Sequence, residues 1–277
     1  MKTIFLLFLG AAAPVLANDT AINSGAFGPA PLGEFKNQES VIRMVSENID
    51  ISFGKKESTV ACKFVFHSTK PSGDAHQVVG FPDLMADEDA NDAGVIRKLR
   101  TWVDGEEVEA KKQIGWFSIP RDPLGTPRSG LGQPPAKEGP NGTWEDSVMK
   151  AWFYTVDVTF PPDRDVVIER KYVADNGGSV MGNSVFSYTT RTGAVWQGTI
   201  GRADISVKLD GWTIDDLAFE DGPHKLPPRE QFAWCSPNKM CWTVVSPTEL
   251  RMTWLDFEPA VHQTRREIVI GTWNTRR

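Results

Sequence analysis

The densest run of oxygen donors in the chain is Asp87-Glu88-Asp89-Ala90-Asn91-Asp92. It opens like a calcium loop, with carboxylate or amide oxygens at the first, third and fifth places. The pattern then breaks. The sixth place holds Asp92 where such a loop needs a glycine to turn, and the twelfth holds Lys98 where a bidentate glutamate closes the shell. A solvated acidic loop is the better reading, and no metal is expected. Gly178-Ser179-Val180-Met181-Gly182 does not make a nucleophile elbow, because its serine stands second where the motif needs it third. His67, His76, His224 and His262 are scattered without zinc-ligand spacing. Two carboxylates distant in sequence could hydrolyse a glycosidic bond. Asp83, Glu145, Asp157, Asp215, Asp216 and Glu258 are equal candidates for such a pair, and nothing in the pattern selects two of them. No catalytic residue and no cofactor is therefore expected.

Cysteine chemistry is more specific. Trp234-Cys235 and Cys241-Trp242 flank a Pro237-Asn238 turn with mirrored residues. A hairpin there would set Cys235 and Cys241 opposite each other, at a separation a disulfide can bridge. The spacing is not the two-residue gap of a redox motif, and no further ligand lies near. Cys62 falls on an apolar strand face with Val60, Phe64 and Phe66, so a buried free thiol is expected.

The compartment follows from the first residues. Lys2 supplies a positive start, residues 4–9 an apolar run, Ala11-Ala12-Ala13 its extension, and Val15 and Ala17 the small residues of a cleavage site. Residues 1–17 read as a signal peptide cleaved after Ala17. The run is too short for a spanning helix, which needs about 20 apolar residues, and Pro14 interrupts it. The mature chain is expected to be periplasmic or secreted, without a membrane span. The whole chain carries a net charge of −6, which argues against nucleic acid and anionic membrane surfaces. The chain has ten Trp against three Tyr, so tryptophans either plug a β core or stand on the surface as stacking platforms.

Period-two alternation dominates the rest of the chain, as half-buried strands require. Val60, Cys62, Phe64 and Phe66 oppose Lys63 and His67. Val148, Trp152, Tyr154, Val156, Val158 and Phe160 oppose Asp157 and Thr159. Ala203, Ile205, Val207 and Leu209 oppose Arg202, Asp204, Ser206 and Lys208. Further strands are expected at 41–53, 166–173, 250–257 and 267–272, with a tight hairpin turn at Asp104-Gly105. Short helices are expected only at 92–99 and 213–219. Residues 120–141, dense in Pro and Gly, read as a long irregular loop. The expected fold is all-β, an antiparallel β-sandwich with long irregular loops and few short helices. It forms one β-rich domain over 18–277, or two subdomains at about 36–176 and 184–277.

Three stretches carry a family resemblance. The first is Ile42-Arg43-Met44-Val45-Ser46-Glu47-Asn48-Ile49-Asp50-Ile51, followed by the strand at 60–66 and Val79-Gly80-Phe81-Pro82-Asp83. The second is Tyr188-Thr189-Thr190-Arg191-Thr192-Gly193-Ala194-Val195-Trp196-Gln197-Gly198-Thr199-Ile200-Gly201. The third is Trp254-Leu255-Asp256-Phe257-Glu258-Pro259. In this order after a signal peptide, they resemble the bacterial family called domain of unknown function 4424. The resemblance implies a bacterial, exported, β-rich protein and transfers no activity. The Pro-rich loop and the Cys-flanked hairpin depart from the family pattern.

Within the second stretch, Tyr188, Arg191 and Trp196 are the candidate binding residues. Trp196 is either a core plug held under a turn or an exposed stacking platform. The expected function is a non-enzymatic binding module at the cell envelope with a protein or glycan partner. The rival is a carbohydrate-active hydrolase using two carboxylates.

Overall fold

The computed structural model describes residues 25–27, 30–32, 40–84, 95–119, 128–132, 147–178, 184–218, 242–259 and 267–272. These residues form strands, two short 3-10 helices and no α-helix. One sheet has eight strands in the order β15 (Thr243–Ser246), β16 (Glu249–Phe257), β13 (Ile200–Leu209), β3 (Ile42–Phe53), β4 (Glu57–Ser68), β11 (Val166–Asp175), β6 (Ile96–Val103) and β7 (Glu106–Val108). The other runs β14 (Leu217–Ala218), β17 (Glu267–Thr272), β12 (Val185–Thr189), β1 (Gly25–Phe27), β5 (Ala75–Leu84), β10 (Ser147–Phe160), β8 (Lys111–Ile119) and β9 (Arg128–Leu131), with β2 (Ala30–Leu32) also on β5. Neighbours are antiparallel except β3 with β13 and β1 with β12, which run parallel. Both sheets take strands from either side of residue 180, so the sheets do not divide the chain into its two halves.

The sheets pack face to face over one apolar core. Alternation sets the inward rows: Val60, Cys62, Phe64 and Phe66 of β4, and Ala203, Ile205, Val207 and Leu209 of β13, are all buried. Phe66 meets Phe160 of the opposite sheet at 5.9 Å between ring centroids, and Phe81 meets Tyr172 at 5.3 Å. Burying one such ring stabilises the fold by about 1.5–3 kcal/mol. The expected face of β10 is inward at Val156, Val158 and Phe160, with Tyr154 partly buried against the core, while Trp152 lies under the Lys112 ammonium. Its other face is buried too at Ala151, Phe153 and Thr155. Phe153 lies against Gly80 and Gly115, and the Leu32 side chain crosses the same Gly80 from β2.

The Asp104-Gly105 turn joins β6 to β7 with Val103 opposite Glu106. Both turn residues have positive φ, 50° and 84°, as a two-residue hairpin turn demands. Asp104 also accepts the Val167 N–H at 2.8 Å and pairs with Arg164 at 2.6 Å, which ties the turn to β11.

Three local expectations are corrected. Residues 96–99 belong to β6, not to a helix, because the free edge of β11 supplies a ladder that overrides local propensity. Of the helix expected at 213–219, only the 3-10 turn η2 (Ile214–Asp216) forms, capped reciprocally by Thr213 and Asp216, before the chain enters β14. The Pro/Gly-rich segment contains a strand, β9, paired with β8; its other residues, 120–127 and 133–141, lie outside the described residues. Residues 1–17 and the Cys235–Cys241 segment also lie outside them.

Candidate functional site

The outer face of the eight-stranded sheet carries polar side chains in register. Side chains alternate along each strand, so every second residue of six adjacent strands points away from the core. Pairing then lines them up across the sheet. One row runs Trp102, Glu169, Lys63, Asn48, Asp204 and Thr253. The next runs Arg100, Lys171, Ala61, Asp50, Ser206 and Arg251. Ala61 is the smallest side chain of the two rows, and the surface dips over it. The resulting depression, about 480 Å³, is walled by Asn48, Asp50, Lys63, Trp102, Glu169 and Lys171.

Most charges on this face are paired. Lys63 Nζ lies 3.6 Å from Glu169 Oε1. Ser206 donates to Asp50 at 2.5 Å, and Thr253 donates to Asp204 at 2.8 Å. Arg202 also binds Asp204, and that bond holds the carboxyl below the usual carboxylate range. The Arg100 guanidinium stacks over the Trp102 ring at 4.9 Å. Exposed pairs like these contribute at most about 1 kcal/mol each to stability, so their main effect is to hold side chains in place. The Asn48 amide and the Lys171 ammonium, both exposed, have no hydrogen bond or ion pair among the described residues. Lys171 lies on the strand next to Trp102, and Asn48 lies three strands from that ring, on the far wall of the depression.

The groups whose acidity burial shifts most lie elsewhere, sealed between the sheets. Glu47 is 3% exposed, and its Oε1 has no partner among the described residues. Burial raises its carboxyl to about 8. The cause is a bulge at Val45. Ile42 and Met44 face inward before it, and the slipped phase then turns Glu47, Ile49, Ile51 and Phe53 inward. Asp83 is fully buried and accepts the N–H groups of Val95 (2.9 Å) and Ile96 (3.3 Å). Burial pushes it up to about 6 against the pull of those bonds. Arg170 is 1% exposed and donates through Nη1 to the Tyr154 carbonyl at 3.1 Å. Desolvation lowers it to about 10. Burial also pushes the Cys62 thiol and the Tyr172 and Tyr188 hydroxyls well up.

The residues singled out from the sequence fall as follows. Tyr188 is fully buried, its hydroxyl 4.0 Å from Cys62 Sγ. Trp196 is 3% exposed and packs on Phe66 at 4.6 Å between centroids. It is a core plug, not a stacking platform, because the 3-10 helix η1 (Arg191–Val195) folds the chain back over the core just before it. Arg191 opens that helix. Cys62 is a buried free thiol, as expected. Cys235, Cys241, Glu145, His224, His262 and the acidic run 87–92 lie outside the described residues. Asp157, Asp216 and Glu258 sit on β10, in η2 and beyond β16, and Asp83 is interior, so the described carboxylate candidates are not gathered on one surface. Among the described residues no three His, Cys, Asp or Glu side chains cluster to hold a metal ion, and no helix is long and apolar enough to cross a membrane. Asn48, Trp102 and Lys171 escape sequence reasoning. Their signal is weak: polar residues at outward strand positions, and a tryptophan two residues ahead of the Asp104-Gly105 turn.

No protein-family model and no curated protein matches the chain. Solved structures do. A putative nutrient binding protein from Legionella pneumophila is 19% identical, with a TM-score of 0.60 over 92% of this chain and 72% of its own. An M1 zinc metallopeptidase from Deinococcus radiodurans is 7% identical at a TM-score of 0.35, over 84% of this chain and 42% of its own, too low to carry an argument. The Legionella structure shows that this β-sandwich arrangement occurs in a solved protein.

Proposed function

We propose that this chain is an exported, non-enzymatic binding module of the bacterial envelope, a member of domain of unknown function 4424, and that the outer face of its eight-stranded sheet is the contact surface. The observation that carries the reading is the ordered polar face itself: two side-chain rows held in register over six strands, with Trp102 around one depression together with Asn48 and Lys171, which have no partner among the described residues. Sites held on paired strands need little ordering on binding, which favours recognition. The signal-like residues 1–17 support export, and the nutrient-binding description of the Legionella protein supports a binding role.

The hydrolase reading is the weaker one. A general acid needs a carboxyl that still holds its proton near neutral pH and reaches the substrate. The two described carboxyls raised toward that range, Glu47 and Asp83, are both buried.

Two measurements test the proposal. N-terminal sequencing of the protein from the extracytoplasmic fraction should begin at Asn18; a cytoplasmic pool retaining Met1 overturns export. Immobilised wild-type protein should capture an envelope component that the double variant Asn48→Ala/Lys171→Ala captures poorly. Equal capture by both would remove this face from consideration.

A further inference from the structure

We infer that the depression over Ala61 receives the pyranose ring of a neutral glycan; this rests on the contact-face reading above and names its ligand class. Three features of the site point to it. First, the walls carry charges in balance: Lys63 and Lys171 against Asp50 and Glu169. The four charges cancel, so neither an acidic nor a basic ligand finds a net opposite charge there. Lys63 already faces Glu169 and Asp50 already holds Ser206, which leaves Lys171, among the described residues, as a single ammonium able to donate to a hydroxyl. Second, the same walls offer acceptors (two carboxylates) and donors (two ammonium groups and an amide) within one small area. Hydroxyl groups both donate and accept, so a ring bearing several of them can use both kinds of partner. Third, the Trp102 ring lines the same depression. The face of an aromatic ring is electron-rich, and the C–H face of a pyranose is apolar and electropositive, so the two stack on the ring surface that the Arg100 guanidinium leaves uncovered. A peptide ligand would need backbone partners at a sheet edge or an apolar pocket for side chains. This site lies in the middle of the sheet, and its walls are polar.

The volume, about 480 Å³, falls within the ~300–1,000 Å³ of small-molecule sites. The polar rows also continue past it to Asp204, Ser206, Thr253 and Arg251. From β6 to β16 they span five strand spacings, roughly 24 Å at ~4.8 Å each. That length suits an oligosaccharide lying across the strands better than a single sugar.

The test titrates the mature full-length protein by isothermal calorimetry with neutral hexasaccharides (maltohexaose, cellohexaose, laminarihexaose and chitohexaose) and with hexagalacturonate as the acidic counterpart. At least one neutral probe should bind, and hexagalacturonate should bind more weakly. Trp102→Ala should lower the affinity about tenfold or more, Trp102→Phe should restore part of it, and both variants should keep the wild-type circular dichroism. Three outcomes overturn the inference: no neutral probe binds, the acidic probe binds best, or Trp102→Ala binds as wild type. If no probe binds while Asn48→Ala/Lys171→Ala still loses envelope capture, the glycan assignment falls and the contact face stands. If envelope capture is also insensitive to that variant, both fall.

Discussion

The guanidinium of Arg170, on β11, lies 4.9 Å from the centroid of the Phe81 ring on β5, in the opposite sheet. This is a fully buried cation between two β layers. Its Nη1 donates to the Tyr154 carbonyl, while Nε and Nη2 have no partner among the described residues. Its stem fills space, its charge costs desolvation, and the ring face recovers part of that cost.

The balance predicts opposite outcomes for two substitutions. Arg170→Met keeps the volume and removes the buried charge, so its stability should lie within about 1 kcal/mol of wild type or above it. Arg170→Ala leaves a cavity as well and should lose about 3 kcal/mol or more. Urea unfolding of the three proteins decides this. A methionine variant as unstable as the alanine variant would mean that the charge itself holds the sheets together.

Glu47 predicts a pH dependence. Its carboxyl ordinarily loses its proton near 4.5 and in the fold near 8. The native state therefore binds more protons than the unfolded chain between those values, and stability falls as pH rises through them. The full contribution is present below about pH 4.5, and its loss is complete above pH 8. Glu47→Gln, which stays neutral, should unfold at distinctly higher denaturant than wild type at pH 9, by several kcal/mol. The difference should close toward pH 5. Parallel curves for the two proteins from pH 5 to 9 would show that Glu47 is not sealed.

Two glycines should respond differently to alanine. Gly105 has φ of 84° with open space around it, so Gly105→Ala meets only backbone strain, about 1 kcal/mol. Gly80 faces Leu32 Cδ1 at 2.3 Å and Phe153 Cδ1 at 2.9 Å from an added methyl. Gly80→Ala must displace β2 or the Phe153 ring and should cost about 2–3 kcal/mol. Thermal melts should rank Gly80→Ala well below Gly105→Ala. The reverse order would mean that β2 does not pack over β5.

Thiol chemistry completes the set. Cys62 is 3% exposed, and burial pushes its thiol up, so it should resist alkylation in the native protein. Denaturation alone should expose one thiol, and subsequent reduction two more, from the Cys235–Cys241 bridge expected from the mirrored flanks. A peptide map linking Cys62 to either of the others would overturn the bridge and the placement of Cys62 opposite Tyr188.

Much of the architecture is legible in the amino-acid sequence. The alternation at 60–66 and 203–209 names the inward faces of β4 and β13, because a half-buried strand must satisfy water on one side and the core on the other. Asp104-Gly105 names its turn because few residue pairs accept two positive φ values. The phase slip at Val45 is not legible in the sequence, because Val41 and Val45 share the parity of Ile49, Ile51 and Phe53, and only the pairing with β4 places it. The helix expected over 92–99 is replaced at 96–99 for a nonlocal reason: β11 offers β6 a ladder.

The candidate site is not legible there. Tyr188 and Trp196, the residues with the most evident binding chemistry, are buried, while the proposed contact face is assembled from Asn48, Lys63, Trp102, Glu169 and Lys171, which lie on four strands. The same holds for Arg170, which occupies an inward position of β11 that the alternation marks for an apolar residue, and for the second buried face of β10, whose Phe153 lies against the same Gly80 that Leu32 of β2 crosses. Local patterning records which way a side chain must point, since the pleat alone sets that direction. Which side chains become neighbours depends on strand order and register between distant segments, and those are set by the packing of the whole sandwich.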